Sequence, residues 1–452
     1  MSIPLQLLFL GTGTSTGLPL VPCLTAGNPY PRLFTEMVPL IKPSTPNPPK
    51  GAWNPDGPWP SSIKCACCRS AVDPEVPEGW KNKRGNTSVV LRKKKEDGKW
   101  RNVVVDVGKT FREQAVRYFP TWGVDTVDAV ILTHGHADAY FGLDDLREWC
   151  QRQGRAIPVY LNQETFDKVA DTFPYMVDKT KASGGGDVPK LIFKIIDDEA
   201  EFEVEGITVQ ALPVNHGIYF HTVPAPSSGS GPVEKLEPEP LICLGFQFDH
   251  SIIYISDVSS IPDRTWELML ASGKSTSRKP ILPTPDDTPP RSDSPSQSVD
   301  GLSDISASPS SSSSSKVLVI DALWPLWGHA SHFSFGQAIE TALRLKPTYT
   351  YLIDSTHPTS HYMWEELCLS LLDQHGERGD HPDSAQAEWL VKKAWEMVLG
   401  SGANGDKGLG EQWKEFGGIV RPAWDGLVLE VNDGSREGDV ERLEQSTRGL
   451  VY

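Results

Sequence analysis

The segment from Ile131 to Leu146 constrains this chain most, because it places three potential metal ligands within five residues. His134, His136 and Asp138 follow the apolar run 127–132, which predicts a buried strand that ends in a loop. Alternate positions at a strand end can direct two imidazoles to one point and a carboxylate to a neighbouring point. Imidazole and carboxylate ligands without a thiolate are typical of Zn, Mn or Fe in a hydrolytic site.

The overall composition excludes several classes of protein. Lys and Arg number 43 against 59 Asp and Glu, a formal charge of −16 that disfavours a broad nucleic-acid surface. No apolar run approaches the length of a membrane span, and residues 1–10 predict a first strand and not a signal peptide. Seven cysteines, three of them crowded at 65–68, favour metal binding in a reducing compartment. We therefore expect a cytoplasmic protein, with the nucleus as a second location.

The order of apolar runs and polar stretches predicts one large α/β domain with insertions, over residues 1–431. A Pro-rich insertion is expected at 25–62, and a helical and Gly-rich one at 375–413. Residues 272–315 are dominated by Ser, Pro, Thr and Asp, a composition that predicts disorder. A C-terminal tail follows at 432–452.

The His-x-His-x-Asp segment resembles the signature of the metallo-β-lactamase superfamily, which usually continues with another His. Ala139 stands at that position here. The resemblance implies an αββα sandwich with two catalytic metal ions. It also implies that later strand-end loops supply the remaining ligands, and the loops that match carry His216, Asp257 and His357.

By this resemblance one ion is expected to bind His134, His136, His216 and Asp257. The second ion is expected to bind Asp138, Asp257 and His357. Because Ala139 leaves the second ion one nitrogen short, three interpretations stay open. The ion binds weakly, another residue or water fills the gap, or the enzyme uses one metal. We take a labile second ion, with Zn or Mn as the metal, as the leading hypothesis.

A second, separate metal site is predicted from the cysteines. Cys65-x-x-Cys68 is a usual spacing for structural zinc. Together with Cys23, it resembles the cysteine pattern of one superfamily branch. That branch contains the cyclic phosphodiesterase of the bacterial carbon–phosphorus lyase pathway and uncharacterised fungal and plant relatives. The resemblance implies one structural zinc on Cys23, Cys65, Cys68 and His361. Ligation by Cys67 and simple buried thiols are the alternatives.

The same resemblance suggests roles for residues near the metals. Asp106 matches a strand-end Asp that supports the His loop through hydrogen bonds. His329 and His332 precede a helix where the family has a phosphate-contacting His, and His332 is the better match for protonating the leaving oxygen. The Gly-rich loop 11–17 lacks a following helix and a Lys-Ser/Thr pair, so it is not a nucleotide-binding loop.

The resemblance implies a metal-dependent hydrolase of a small cyclic phosphodiester, in which metal-bound hydroxide attacks phosphorus. Asp138, as a metal ligand, and His332 are expected to act in catalysis. A 3′-end RNA-processing nuclease is the alternative enzyme, but the sequence shows no basic Gly-rich arm. A catalytically weak metal-binding scaffold is the alternative outside enzymes, and Ala139 supports it. The expected partner is the phosphodiester substrate, without a membrane and without nucleic acid. The sequence leaves the oligomeric state open, a homodimer included.

Overall fold

A computed structural model of the chain shows two β-sheets packed face to face, with helices on both outer sides. The structure describes residues 4–25, 39, 48–182, 188–225, 233–271, 317–377, 380–401, 406–431 and 440–443. The predicted disordered segment 272–315 lies outside these residues. So do most of the tail 432–452 and much of the Pro-rich insertion 25–62.

The first sheet, over the described residues, has the strand order β15-β14-β1-β2-β3-β4-β5-β6. Its strands are β1 (Leu5–Gly11), β2 (Ser88–Lys94), β3 (Trp100–Val105), β4 (Ala129–Ile131), β5 (Ile157–Leu161), β6 (Leu191–Ile195), β14 (Val428–Val431) and β15 (Val440–Leu443). β2 and β3 form a hairpin around the charged turn 95–99. From β3 to β6 the strands are parallel, so their carboxyl ends lie along one edge.

The second sheet has the order β13-β12-β11-β10-β9-β8-β7 within the described ranges. Its strands are β7 (Glu201–Val204), β8 (Ile207–Ala225), β9 (Val233–Phe248), β10 (Ile252–Ile255), β11 (Val317–Asp321), β12 (Tyr349–Ile353) and β13 (Ile419–Pro422). Strands β10 to β13 are parallel neighbours, which again places their carboxyl ends side by side.

Helices cover the outer faces of both sheets. They are α1 (Val21–Thr25), α2 (Ala66–Val72), α3 (Phe111–Trp122), α4 (Ala137–Tyr140), α5 (Arg147–Gln153), α6 (Gln163–Thr172), α7 (Pro174–Val177), α8 (Asp263–Ala271), α9 (Phe335–Leu345), α10 (His361–Ser370), α11 (Ser384–Ala394) and α12 (Leu409–Phe416). Ser334 begins α9 with a capping box that it shares with Gln337, so the backbone donors of the first turn are satisfied. Short 3₁₀ turns occur at Gly79–Asn82, Phe141–Leu146 and Lys179–Lys181, and a π turn at Trp395–Leu399.

Three hydrophobic cores account for this layering. The central core lies between the sheets, where Leu7 and Val89 of the first sheet join Phe246 and Tyr254 of the second. The other two cores lie between each sheet and its own helices. Alternating strand residues face opposite sides, so each sheet is buried on both faces. The predicted α/β sandwich of the αββα type is confirmed.

Two elements have unusual local structure. The segment 141–153 begins as a 3₁₀ turn and becomes α-helical at Arg147. Strands β8 and β9 are long, because they continue beyond the sheet as a two-stranded ribbon. On one face of this ribbon, Ile218 and Phe220 are exposed opposite Pro240 and Pro238. None of the helices in the described ranges is both long and apolar enough to cross a bilayer.

Candidate metal centre

Aspartates follow the strands whose carboxyl ends meet at one edge of the sandwich. Asp106 follows β3, Asp257 follows the end of β10, Asp321 ends β11 and Asp354 follows β12. Three of them, Asp106, Asp257 and Asp354, have left-handed backbone angles with φ of 62°, 57° and 60°. Aspartate tolerates this conformation better than most residues, and such local strain is frequent at functional sites. Four buried carboxylates therefore lie along this edge of the sandwich.

Four side chains form what we call the imidazole cluster: His134, His136, His216 and Asp257. His134, His136 and Asp257 come from strand-end loops, whereas His216 lies within β8, where its pairing with β9 is irregular. One ligand atom from each lies within 4.8 Å of the others. The Nε2 atoms of His134 and His216 are 3.4 and 3.5 Å from Oδ2 of Asp257. Asp257 is almost fully buried and His136 is exposed, so the cluster has a closed base and an open side.

Neighbouring groups fix the orientation of two of these imidazoles. Nδ1 of His134 is 2.8 Å from the hydroxyl of Thr133, which in turn hydrogen-bonds Asp106 at 2.8 Å. Nδ1 of His216 donates to the carbonyl of Ser331 at 2.7 Å. In both residues Nε2 is left facing the cluster, as is usual for histidines that bind a metal. Asp106 is thus connected to the His134 ring through the hydroxyl of Thr133.

A second set of side chains, the carboxylate cluster, consists of Asp257, His332 and Asp354, again with ligand atoms within 4.8 Å of one another. Nδ1 of His332 is 2.8 Å from Oδ2 of Asp321, which holds the ring in place. The carboxylate of Asp354 accepts a hydrogen bond from the hydroxyl of Thr87 and a longer one, 3.4 Å, from the amide of Asp257. Asp257 belongs to both clusters and therefore lies between two candidate ion positions.

The protonation states of His134 and Asp257 suit metal binding, whereas that of His332 suits proton donation. Burial lowers the pKa of His134 to about 3, so its ring is neutral at physiological pH. Burial disfavours the charged form of Asp257, but His216, His134 and His332 together hold its pKa below the usual range. For His332, burial acts to lower the pKa, yet Asp321, Asp257 and Asp354 raise it to about 10. A neutral imidazole and an ionised carboxylate are the forms that bind a cation.

The donor set fits divalent ions at both positions. Nε2 of His134 is buried and has no hydrogen-bond partner among the described residues, although it points at the cluster. Buried polar atoms are normally paired, so an orphaned nitrogen at this place indicates a missing ligand. Three imidazoles with one carboxylate match the ligand set of hydrolytic zinc.

The predicted ligand Asp138 lies beside the two clusters without being part of either. Burial raises its pKa to about 6, and the charge of Asp257 adds to the shift, so the two carboxylates are near neighbours. Ala139 is buried and its carbonyl accepts the amide of Val107 at 2.7 Å. Ala139 thus occupies the position where the family signature has a histidine, and its methyl side chain cannot bind a metal ion.

His357 lies in a third group, which we call the cysteine cluster: Cys23, Cys65, Cys68 and His357. Nδ1 of His357 is 3.7 Å from the sulfurs of both Cys23 and Cys65. Zn–S and Zn–N bonds of about 2.3 and 2.0–2.1 Å at a tetrahedral ion would separate S and N by roughly 3.6 Å. The spacing therefore fits a closed zinc site.

Two predicted positions are corrected by this geometry. His357 was expected at the second catalytic ion but lies against the thiols, and Asp354, three residues earlier, is in the carboxylate cluster instead. His361 was expected at the thiols but begins α10, with Nε2 3.6 Å from Glu365. The loop after β12 carries both aspartate and histidine, and spacing alone cannot tell which one faces which cluster. Cys67 points away from the cluster toward Asn82, with its sulfur 3.5 Å from Oδ1.

Sequence reasoning also missed Asp321, Asp354 and Lys109. A signal existed for the first two, because each is an aspartate at the end of an apolar run, as Asp257 is. Lys109 follows the β3 loop and its charge acts on Asp138. His329 is exposed, and its ring centroid lies 5.5 Å from that of His332.

The chain is similar to known proteins in sequence and in structure. Residues 101–272, which include five of the predicted catalytic-site ligands, match the profile of the family described as Beta-lactamase superfamily domain. A diphosphatase from the PhnP family is similar in structure, with 21% identity, a TM-score of 0.50, and coverage of 94% of this chain and 97% of that chain. The metallo-β-lactamase fold protein YhfI from Bacillus subtilis has 13% identity and a TM-score of 0.43, over 94% of this chain and 99% of that chain.

An octanoyltransferase of Porphyromonas gingivalis is 33% identical over 153 residues, which is 34% of this chain and 27% of that protein. The chain thus spans about a quarter of the length of this curated relative. The match of residues 101–272 confirms the predicted resemblance to the β-lactamase superfamily, and the similar solved structure confirms the fold.

Proposed function

We propose that this chain, which has the metallo-β-lactamase fold, is a metal-dependent hydrolase that cleaves a small cyclic phosphodiester. The observation that carries the proposal is the position of Asp257, whose carboxylate belongs to both the imidazole and the carboxylate clusters. A shared carboxylate between two ion positions is the arrangement that two-metal hydrolases use at phosphorus. The structurally similar diphosphatase is also named for an activity on phosphate groups.

The ions would be held by His134, His136, His216 and Asp257 at one position, and by Asp257 with its carboxylate neighbours at the other. When bound, they would supply Lewis acidity toward the phosphoryl oxygens and lower the pKa of water. The open side of the imidazole cluster, at exposed His136, gives a substrate access.

The chain's own residues would handle the leaving group. Asp321 accepts the Nδ1 proton of His332, so Nε2 is the nitrogen that can donate to the departing alcohol oxygen. Lys109, near Asp138, adds positive charge where a phosphate would approach. The ring of His329 beside His332 could contact the substrate's oxygen atoms.

A small substrate suits the surface better than RNA does. The ribbon formed by β8 and β9 exposes Ile218 and Phe220, and its described acidic residues include Glu237 and Glu239. An RNA-binding arm would instead present Lys and Arg to the phosphates. The ribbon therefore does not support the RNA-processing alternative.

The test is hydrolysis of bis(p-nitrophenyl) phosphate and of a ribose cyclic phosphate, with Zn, Mn or chelator, by wild type and His134→Ala. We expect metal-dependent turnover that falls by about 10³-fold or more in the variant, because one of four ligands is lost. His375→Ala, at an exposed position, serves as the matched control and should keep wild-type activity. Equal activity of His134→Ala and wild type, or no turnover with any metal, would refute the proposal.

A further inference from the structure

We propose that the chain has a binding site for a small linear diamine in a cavity apart from the metal clusters. The cavity has a volume of about 1030 Å³ and lies between α10, α11, α12 and the π turn Trp395–Leu399. None of the described residues that line it belongs to the imidazole, carboxylate or cysteine cluster. Most of them come from the helical and Gly-rich stretch 375–413, which the sequence predicted as an insertion.

The buried end of the cavity, which we call its floor, carries a carboxylate oxygen without a partner. Glu366 of α10 lines the cavity and is 3% exposed. Its Oε2 accepts the amide of Gly376 at 2.6 Å, whereas its Oε1 is buried and has no hydrogen-bond partner among the described residues. Buried polar atoms are normally paired, and a buried charge is costly without a counter-charge. Oε1 therefore indicates a ligand that donates a hydrogen bond and carries positive charge.

The charges around Glu366 favour a cation. Five lining residues are acidic and two are basic: Glu366, Asp373, Asp380, Glu388 and Glu396 against Lys392 and Lys414. Lys414 is paired with Asp373 at 2.6 Å, and Glu396 is paired with Lys393 at 2.5 Å. The remaining lining charges are three carboxylates against Lys392, and this excess of negative charge attracts a cation.

Aromatic side chains in the wall suit an organic ammonium group. Tyr362 and Trp395 line the cavity, and Trp395 begins the π turn, an element that is frequent at functional sites. The indole N–H of Trp395 donates to the hydroxyl of Ser370 at 3.0 Å, which holds the ring in place. The ammonium of Lys414 already lies 4.9 Å from the centre of this ring. Aromatic faces attract ammonium groups, so the wall and the floor favour the same class of ligand.

A metal ion fits this cavity less well than a diamine does. Within the described ranges, Glu366 is not part of any group of three His, Cys, Asp or Glu ligand atoms that are close enough to hold one ion. Asp380 and Glu388 are exposed at the rim, whereas Glu366 is buried at the floor. A linear diamine would place one ammonium group against Oε1 of Glu366 and the other near the carboxylates of the rim.

The experiment is isothermal titration calorimetry of the full chain with diaminobutane and with butanediol, which has the same length without the charges. A salt concentration of about 0.15 M screens the general attraction of cations to the acidic surface. We expect saturable binding of one diaminobutane per chain and no binding of butanediol. A failure to bind diaminobutane, or equal binding of the two compounds, would overturn the proposal.

Glu366→Gln is the diagnostic variant, because glutamine keeps the shape and can still accept the amide of Gly376, but it removes the charge. Diaminobutane binding should weaken by about 10- to 100-fold, which is the effect of losing one charge-assisted hydrogen bond. The matched control is Glu365→Gln on the same helix, whose carboxylate lies 3.6 Å from Nε2 of His361 and does not line the cavity. This control should bind diaminobutane as wild type does.

The melting temperature of Glu366→Gln without ligand should equal or exceed that of wild type, since an unpaired buried charge is removed, and this shows that the variant is folded. Unchanged binding in Glu366→Gln, or equal weakening in both variants, would contradict the site. Binding of Ca²⁺ in place of diaminobutane, lost in Glu366→Gln, would identify a metal site and overturn the proposal. Because amine binding is the readout, the result is independent of phosphodiester cleavage.

Discussion

His357 and His361 offer a direct comparison between the sequence prediction and the structure. The structure places Nδ1 of His357 at 3.7 Å from the sulfurs of Cys23 and Cys65, and it places His361 at the start of α10 beside Glu365. We therefore expect His357→Ala to weaken the structural zinc and His361→Ala to leave its stoichiometry unchanged.

The size of the effect follows from the number of ligands. Structural zinc contributes about 10–16 kcal/mol through four ligands, so one ligand is worth roughly 2.5–4 kcal/mol. At about 1.4 kcal/mol per tenfold change, His357→Ala should weaken zinc binding by roughly 60- to 700-fold. Loss of this site should also loosen the small hydrophobic cluster around Leu18 and Ile63, which packs on the thiols.

The assay is a competition titration of the full chain with a chromophoric zinc chelator. Both histidine variants are compared with wild type, and melting temperature is measured in parallel with and without added zinc. Zinc affinity that falls in the His361 variant and stays normal in the His357 variant would refute the geometric argument and restore the sequence prediction.

Three further predictions concern stability and substrate binding. Burial lowers the pKa of His361 to about 4, while the unfolded chain has the usual value of 6.5, so below pH 6.5 the unfolded state binds more protons. The contribution of this group to stability is therefore full above pH 6.5 and is lost as the pH falls toward 4. In urea unfolding, the free energy of wild type should fall by about 2–3 kcal/mol more than that of His361→Gln between pH 7 and 4.5. Parallel pH profiles of wild type and variant would contradict this. In Gly108→Ala the new Cβ would lie 1.7 Å from the carbonyl oxygen of Asp138. The loop that carries Asp138 must therefore move, and kcat/KM should fall about 100-fold. Gly328→Ala is the control and should keep wild-type kcat/KM, because its new Cβ would have no atom within 4 Å. Lys109→Gln should raise KM about tenfold with little change in kcat, and an unaltered KM would exclude a role in phosphate binding.

Hydrophobic periodicity predicted an α/β domain, because apolar runs are a local feature of the sequence, whereas the αββα arrangement was implied by the family resemblance. The runs that became β1, β2, β3 and β10 alternate or are continuously apolar, and each sheet buries both faces. The ribbon of β8 and β9 was missed for the same reason. The two strands of the ribbon are held together by backbone hydrogen bonds, and its apolar side chains are exposed instead of packed in a core.

The sequence by itself determined that His134 and His136 share one loop, and the family resemblance assigned His216 and Asp257 to the same ion. The structure brings all four side chains together. Only the tertiary structure decided between Asp354, His357 and His361. These residues lie within eight positions, after a strand that borders both metal regions. Which side chain faces the thiols and which faces Asp257 depends on how the loop after β12 turns into α10. That turn is fixed by contacts with residues more than 250 positions away, such as Thr87 and Asn82.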